Sequence, residues 1–309
     1  MSEFTWLTTE DNCALYVKHW GKTITEPKAV VQISHGMAEH IHRYHEFAAF
    51  LNECGFIVYG EDHRGHGQTG DKQGKLGYFA KEKGFQFIVE DMHLLTKHIQ
   101  KEHPSLPIFI FGHSMGSFIT RNYLQKYSNA AAGVILSGTG FFPSVTSYLG
   151  RSMASLLPPQ IKSKIMNNLV FGRNNKVIQN PRTTFDWLTR DHEVVDEYIK
   201  DPFSGFIPTA QFFVDLLTGI ITMQDKTKNI RLRKDLPILF LSGDKDPVGN
   251  YGKGVFHSAK AYHDAEIENI AVQLYAGARH ELLHEINKAE VFEDVEQWIV
   301  KQLAASKHK

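Results

Sequence analysis

Short apolar runs rich in β-branched and aromatic residues alternate with longer amphipathic stretches along most of this 309-residue chain. Runs that are apolar throughout, rather than at every second residue, are typical of parallel strands covered by helices on both faces. The pattern therefore predicts an α/β protein with a mostly parallel central sheet. The predicted strands are residues 29–34, 56–59, 107–111, 133–137, 236–242 and 271–275.

Amphipathic stretches between and after these strands predict helices over residues 44–54, 85–102, 116–127 and 287–304. The second of them carries one apolar stripe at spacings of three and four, formed by Ile88, Met92, Leu95 and Ile99. Ahead of the first strand, two apolar segments flank a turn-prone stretch at residues 9–12. This arrangement predicts an antiparallel hairpin at the edge of the sheet.

The alternation stops after residue 140 and resumes near residue 234. The intervening stretch shows helical patterning and no clear strand, and its roughly 90 residues are more than a loop normally holds. We therefore expect three segments. These are a first core segment at 1–140, a helical lid or cap at 141–233, and a second core segment at 234–309.

Composition excludes several classes of protein. The 34 Lys and Arg residues are balanced by 34 Asp and Glu residues, which argues against a nucleic-acid-binding protein that neutralises phosphates. Two cysteines, Cys13 and Cys54, are too few for a disulfide framework or a cysteine-based zinc cluster. We see no signal peptide and no apolar run long enough to span a membrane, and so expect a soluble, cytoplasmic protein.

The sequence Gly112-His113-Ser114-Met115-Gly116 follows a predicted buried strand and opens a predicted helix. At such a tight turn the flanking positions must be nearly free of side chain, and the serine hydroxyl projects above the sheet. A glycine-rich turn that only lets the helix pack closely is the structural alternative. The context favours a nucleophilic serine, with Gly112, His113 and Gly116 shaping the turn.

A serine nucleophile needs a base, and the base needs a group that fixes its tautomer. After a nucleophile of this kind, the acid and then the histidine follow later strands. Asp246 and His280 meet that order, and both lie at the carboxyl end of a strand, where such sheets carry their sites. Asp244 is the competing acid, with turn capping as its alternative role, and His284 is expected to pack beside the site.

Two backbone N–H groups are also needed to bind the oxyanion of a tetrahedral intermediate. One is expected from Met115, directly after the serine. The other is expected from Met37, in the loop His35-Gly36-Met37 that follows the first buried strand. Gly36 would allow that loop to turn towards the site, and His35 would shape it.

Several motifs together resemble the monoacylglycerol lipase and lysophospholipase branch of the α/β-hydrolases, often described as serine aminopeptidase S33 hydrolases. They are the segments 35–40, 43–44, 62–67 and 112–116, joined by 246–248 and 280–282. The resemblance covers both core segments and fades in the insertion, which corresponds to the family's lid. It implies the α/β-hydrolase fold, a catalytic triad of Ser114, Asp246 and His280, and oxyanion donors at Met37 and Met115.

Three alternatives remain open. His35, His40, His42 and His45 form a cluster that suggests a metal site, although a complete triad needs no metal. An aminopeptidase would need an acidic anchor for a substrate amine, and the insertion supplies Asp186, Asp191, Glu193, Asp196 and Glu197. A non-catalytic hydrolase fold that only binds is the third, but such proteins commonly lose the serine or the histidine.

We therefore expect a serine carboxyl-ester hydrolase that acts on monoacylglycerol, lysophospholipid or other short-to-medium acyl esters. Apolar residues of the insertion should form the acyl site, among them 156–157, 161, 169–171 and 203–206. No cofactor, metal or nucleic-acid partner is expected. The lid leaves room for transient contact with a lipid surface but not for stable insertion, and the sequence indicates no oligomeric state.

Overall fold

The computed structural model describes residues 2–306, and in this part of the chain eight strands form one sheet. They are β1 (Ser2–Thr8), β2 (Ala14–Trp20), β3 (Ala29–Ser34), β4 (Phe56–Glu61), β5 (Ile108–His113), β6 (Gly133–Ser137), β7 (Ile238–Gly243) and β8 (Ile270–Tyr275). Across the sheet their order is β1-β2-β4-β3-β5-β6-β7-β8. The pairs from β4–β3 to β7–β8 are parallel, which confirms the predicted α/β fold.

The predicted hairpin is present at one edge of this sheet. β1 and β2 pair antiparallel from Ser2 opposite Trp20 to Thr8 opposite Ala14, and β2 also pairs antiparallel with β4. The turn between the two strands contains Asn12, whose φ of 63° is a left-handed conformation that asparagine tolerates. The hairpin therefore extends the parallel sheet by two antiparallel strands.

Eleven α-helices accompany the sheet within the described residues. They are α1 (His45–Glu53), α2 (Gly67–Lys72), α3 (Gly84–Glu102), α4 (Met115–Tyr127), α5 (Ser144–Ser155), α6 (Lys164–Phe171), α7 (His192–Lys200), α8 (Ala210–Met223), α9 (Lys226–Asn229), α10 (Lys253–His263) and α11 (Lys288–Ser306).

Helices cover both faces of the sheet, and each face has its own apolar cluster. α1 and α11 pack on one face, where they meet Phe109 and Phe111 of β5. α3, α4 and α10 pack on the other, where they meet Ile110 of the same strand. The predicted stripe of α3 is fully buried in the structure. Side chains of β5 thus alternate between two cores, which explains why this strand is apolar throughout.

The segment between β6 and β7 contains α5 to α9 and no strand, apart from an isolated bridge between Lys162 and Thr209. α8 joins the core, because Phe212 and Leu216 belong to the same apolar cluster as α3 and α4. At its other side α8 carries the small cluster of Ala154, Met166 and Phe213, which attaches α5 and α6. The division of the chain at residues 140 and 233 remains a prediction.

α5, α6 and the turn between them leave a group of apolar side chains exposed, which we call the apolar outer face. Leu156 is 86% exposed and Val145 is 70% exposed. The other members are Tyr148, Leu149, Met153, Ile161, Ile165 and Leu169. Among residues 2–306, no helix is both long enough and apolar enough to cross a bilayer.

Candidate active site

Ser114 lies in the turn between β5 and α4 with an unusual backbone conformation. Its φ is 51° and its ψ is −120°, a region that non-glycine residues rarely occupy and that costs about 1–3 kcal/mol. The Ser114 N–H donates to the Ser137 carbonyl at the end of β6, 2.9 Å away, which helps to hold the turn. The serine hydroxyl is thereby fixed at the carboxyl edge of the parallel strands.

The glycines on either side of this turn allow a close approach of backbone. A Cβ atom at Gly116 would lie 1.9 Å from the Ser34 carbonyl oxygen, so α4 packs directly on the end of β3. A Cβ atom at Gly112 would lie 2.5 Å from the Thr120 hydroxyl and 2.8 Å from the Gly116 carbonyl oxygen. Larger residues at either position would push the helix away from the sheet.

His280 and Asp246 form a hydrogen-bonded line with Ser114. The His280 Nε2 atom lies 2.9 Å from the Ser114 hydroxyl, and its Nδ1 atom lies 3.0 Å from Asp246 Oδ1. A carboxylate can only accept, so Nδ1–H donates to Asp246 and Nε2 is left to accept the serine proton. Asp244 instead accepts from the Gly277 N–H, 2.8 Å away, and so caps the neighbouring turn.

The electrostatics of the site keep His280 basic and its neighbours neutral. Burial by itself lowers the pKa of His280, but the Asp246 carboxylate outweighs it, so that the pKa is raised above its ordinary value. Burial, reinforced by nearby His280, lowers the pKa of His113 to about 3. Burial likewise holds the pKa of His35 well below its usual range. Of these three rings, His280 is the one suited to take a proton near neutral pH.

The loop after β3 lies directly against the serine. A Cβ atom at Gly36 would be 3.3 Å from Ser114 Cβ and 3.1 Å from His113 Cδ2. The Met37 residue that follows lines the same cavity as Ser114. In the described part of the chain, neither the Met37 N–H nor the Met115 N–H donates to a protein acceptor. Neither group therefore has a protein acceptor that would compete with a ligand oxygen, although only Met37 is among the residues that line the cavity.

His35 holds this loop through its two ring nitrogens. Nδ1–H donates to the Gly36 carbonyl, 2.7 Å away, and Nε2 accepts from the His63 N–H at 3.0 Å. A neutral ring is required for this pattern, in agreement with the lowered pKa of His35. The predicted shaping role of His35 is thus a pair of hydrogen bonds to the backbone.

A buried ion network supports the site and was not predicted from the sequence. Arg43 donates to Glu39 at 2.7 Å and to both carboxylate oxygens of Glu281 at 2.8 and 2.7 Å. Glu39 also accepts from the Tyr44 hydroxyl and the Gly36 N–H. Burial raises the pKa of Glu281, but Arg43 outweighs it and holds that pKa well below its usual range. The network ties the loop after β3 to the residue after His280.

His284 extends this network rather than the line of Ser114, His280 and Asp246. Its Nε2 atom lies 3.1 Å from the Arg43 carbonyl, and its ring packs edge-on against Tyr44. Motifs of the sequence contained Arg43 and Glu281, but nothing in their spacing indicated that they are paired. The fold brings them together from opposite ends of the chain.

Ser114 and His280 line a cavity of about 310 Å³. Its apolar wall includes Met37, Phe171, Phe185, Trp187, Leu188 and Phe206. Glu39 and Glu281 also line the cavity, and both lie close enough to His280 to raise its pKa. The cavity thus offers an apolar surface and a polar end next to the serine.

Only some of the residues predicted to form the acyl site line this cavity. Phe171 and Phe206 line the cavity, but Leu156, Ile161 and Leu169 belong to the apolar outer face. An apolar pattern cannot distinguish the inner from the outer side of a short helix packed on one side only. The five acidic residues of the insertion are not among those that line the cavity. Asp186, for example, accepts from the Arg182 N–H and the Thr183 hydroxyl.

The histidine cluster near the start of the chain is divided among other partners. His40 Nε2 lies 2.6 Å from Asp201, His42 contacts Lys18, and His45 accepts from the Trp20 indole N–H at 2.9 Å. Among residues 2–306, no group of three or more His, Cys, Asp or Glu side chains has an arrangement that could hold a metal ion.

Comparison with known proteins agrees with this geometry. The sequence profile of the family described as serine aminopeptidase, S33, matches residues 25–287. A monoacylglycerol lipase of Mycolicibacterium smegmatis is 30% identical over 90% of both chains. A monoglyceride lipase of Mus musculus is 27% identical over 97% of this chain and 91% of its own.

A solved structure shows the same similarity in three dimensions. The thermostable carboxyl esterase of Bacillus coagulans, crystallised with glycerol, superposes with a TM-score of 0.90 at 28% identity, over 98% of this chain and 99% of the esterase. The profile match alone spans most of the sequence, and the mostly parallel sheet flanked by helices accords with it. The chain therefore belongs to the serine aminopeptidase S33 family of the α/β-hydrolases.

Proposed function

We propose that this protein is a serine carboxyl-ester hydrolase that cleaves acyl esters of small alcohols, with monoacylglycerols as the favoured substrates. The observation that carries the proposal is the line from Ser114 through His280 to Asp246 at the wall of an apolar cavity. The relatives named monoacylglycerol lipase and the carboxyl esterase structure support the choice of an ester bond.

In the proposed mechanism Ser114 Oγ attacks the ester carbonyl while His280 Nε2 takes the serine proton. The Met37 and Met115 N–H groups donate to the oxyanion that forms. His280 then gives its proton to the departing alcohol, and the acyl group remains on Ser114. Water repeats the sequence, with His280 as base, and releases the carboxylic acid. The Asp246 carboxylate accepts from His280 Nδ1–H and stabilises the imidazolium at both stages.

The cavity supports an acyl substrate with a compact polar alcohol. Its volume is at the lower end of the roughly 300–1,000 Å³ found for ligand sites, which favours short-to-medium acyl chains. Phe171, Leu188 and Phe206 would contact the acyl chain. Glu39 and Glu281 lie beside His280, where hydroxyl groups of a glycerol could donate to them.

The decisive experiment compares Ser114→Ala with Ser152→Ala, which removes an exposed hydroxyl on α5. Each purified variant is assayed on p-nitrophenyl esters, monoacylglycerol and lysophospholipid, and is treated with a fluorophosphonate probe. Loss of hydrolysis and of labelling in Ser114→Ala alone supports the proposal. Undiminished activity in Ser114→Ala rules out Ser114 as the nucleophile.

An aminopeptidase is the second candidate, because the profile that matches this chain is described by that activity. Two acidic side chains, Glu39 and Glu281, do face the cavity, but each already forms an ion pair with Arg43. A substrate ammonium would have to compete with that arginine. Faster turnover of aminoacyl anilides than of acyl esters, measured in parallel, would favour the aminopeptidase.

A further inference from the structure

The His280 imidazole contacts two aromatic rings. Its ring centre lies 4.8 Å from that of His113 and 4.9 Å from that of Trp187, with an angle of 39° between the imidazole and indole planes. His113 belongs to β5, as expected for a side chain next to the nucleophile. Trp187 comes from the insertion, between residues 174–177 and α7. A residue outside both predicted core segments therefore touches the ring that carries the proton.

Residues 186–190, which we call the strap, are fastened to the loop that carries His280. The Glu281 N–H donates to the Leu188 carbonyl at 2.7 Å. The remaining hydrogen bonds join Arg279 to the carbonyls of Asp186 and Thr189, the Thr189 hydroxyl to the His284 carbonyl, and Arg190 to Glu285. Hydrogen bonds on both sides of Trp187 thus fix the strap, and with it the indole, against the loop of His280.

The indole ring is placed to favour the positively charged form of His280. The face of a tryptophan ring attracts a cation whose centre lies within about 6 Å, and the attraction is strongest where water is excluded. Trp187 is 7% exposed and His280 is 2% exposed. When His280 takes the proton of Ser114, the new positive charge therefore forms against the indole in a nearly dry environment.

Other charged and titratable groups face the same ring and must be considered with it. Asp246, Glu281 and Glu39 carry negative charges that favour the imidazolium, whereas His113 stays neutral. All four come from the predicted core segments: His113 from β5, Glu39 from the loop after β3, Asp246 from the loop after β7 and Glu281 from the loop after β8. Trp187 is the ring from the insertion that contacts His280, and it also stacks on Phe171.

We propose that Trp187 is a positioning residue for the proposed ester hydrolysis: it fixes the plane of the His280 imidazole and stabilises the imidazolium that forms during both chemical steps. This inference rests on the proposed function of Ser114 and His280. It gives the insertion a direct part in the chemistry, in addition to enclosing the substrate.

The test measures kcat and KM against pH for Trp187→Phe and Trp187→Leu with a p-nitrophenyl ester. If the Trp187 indole stabilises protonated His280, kcat should fall by about 2- to 30-fold in Trp187→Leu and by less in Trp187→Phe. It also predicts that the acid limb of kcat/KM moves to lower pH, by up to about 1.5 units, in the order Trp, Phe, Leu. The acid limb moves to lower pH because the imidazolium is less stable without the indole ring, so that the pKa of His280 falls.

The direction in which the acid limb moves distinguishes this proposal from a simpler role of Trp187, the exclusion of water from His280. If Trp187 only keeps water from His280, its removal hydrates the imidazolium, and the acid limb moves to higher pH instead. That result, or an unchanged profile, would overturn the proposal. Phe171→Leu is the matched control, because Phe171 lines the same cavity and stacks on Trp187 without a ring contact to His280. We expect it to change KM and leave the acid limb in place.

A second measurement avoids the packing change of a substitution. The chain contains four tryptophans, and replacing them with fluorinated tryptophan withdraws charge from the ring face with little change in shape. Each added fluorine should move the acid limb of kcat/KM further to lower pH. In a Trp187→Phe background, fluorination of the other tryptophans should leave the acid limb in place. An acid limb that is insensitive to fluorination would overturn the proposal. Activity in Ser114→Ala would instead overturn the proposed function, so the two failures are distinguishable.

Discussion

Residue 36 has no space for a side chain. A Cβ atom there would lie 2.6 Å from Glu39 Oε1, as well as close to Ser114 and His113. Of these neighbours, Glu39 is held by Arg43 and Tyr44, and Ser114 is fixed by its turn. The loop itself is therefore what would move if a methyl group were added.

Gly36→Ala should lower kcat by about 100- to 1,000-fold, the loss typical of one oxyanion donor, because the Met37 N–H is displaced. Steady-state kinetics on an acyl ester measure this effect. Gly74→Ala is the control, since a Cβ atom there meets nothing within 4 Å, although its φ of 71° makes the substitution strained. Equal losses of kcat in the two variants would contradict a specific role for Gly36.

The raised pKa of His280 predicts the pH dependence of the reaction. Only the neutral imidazole can accept the Ser114 proton, so kcat/KM should fall as the pH drops through that pKa, with a midpoint above the ordinary value of about 6.5. Asp246→Asn removes the charge that raises this pKa. It should therefore move the midpoint to lower pH and lower kcat strongly.

Asp244→Asn provides the control for this profile. Asp244 caps the turn at Gly277 and pairs with the exposed Lys245, without a hydrogen bond to His280, so its substitution should leave the midpoint unchanged. Burial raises the pKa of Asp62 and of Asp215 to about 6, so these groups titrate in a similar range. Because Asp62 and Asp215 are present in both variants, they cannot cause a difference between the two midpoints. The same midpoint in Asp246→Asn and Asp244→Asn would count against His280 as the base.

The proximity of Ser114, Asp246 and His280 could be predicted because each follows a recognisable strand and chain order limits the choice. The network around Arg43 could not, since Arg43 and Glu281 are separated by 238 residues and neither belongs to a periodic pattern. Trp187 was missed for a related reason. One aromatic residue in an irregular segment gives no indication of which ring it will contact.

Among the elements, the loop after β3 and the loop after β8 depend on one another. Arg43 lies between Glu39 of the first loop and Glu281 of the second, and all three side chains are nearly inaccessible to solvent. Removal of one partner from a buried ion pair leaves an uncompensated charge, which typically costs about 3–5 kcal/mol. The network should therefore contribute to folding as well as to the geometry of the site.

Arg43→Met should lower the free energy of unfolding by about 3–5 kcal/mol, because Glu39 and Glu281 would remain buried without a counter-charge. Urea denaturation followed by circular dichroism measures the change. Lys126→Met breaks the exposed pair with Glu90 and should cost at most about 1 kcal/mol. A similar loss in both variants would contradict the importance assigned to burial.

Strand and helix positions were predictable to different degrees. β3 and β6 begin and end at the predicted residues, because each is short and dominated by valine, isoleucine or leucine. β4 extends two residues further than predicted, through Gly60 and the fully buried Glu61, which have no strand propensity. α2 was not predicted at all, since its six residues are glycine or polar and carry no apolar stripe.

For the molecule as a whole, the apolar outer face needs an explanation of its own. The balanced charge of the chain gives no reason for so many apolar side chains to be exposed together. Its members lie on α5, α6 and the turn between them, at the side of the insertion that faces away from the core. Large exposed apolar surfaces commonly mark contact with a membrane or another protein. We expect this face to touch the surface of an aggregated substrate transiently.

Leu149→Ser combined with Leu156→Ser should lower activity on monoacylglycerol presented in micelles or vesicles by several-fold, because apolar contact with the lipid surface is lost. Activity on a dissolved short-chain ester should not change, since neither residue lines the cavity. Parallel assays of the two substrates measure the difference. Equal losses on both would indicate that the substitutions act through the fold.

The order of the four site residues along the chain has a consequence for biosynthesis. Met37 and Ser114 lie before the insertion, whereas Asp246 and His280 follow it, with His280 only a few residues before the last helix. A nascent chain on the ribosome therefore holds its serine turn long before its base and acid have been translated. Since β7 and β8 add to the sheet beside β6, the proposed hydrolysis requires that both strands and the loops after them have been translated and paired with the sheet.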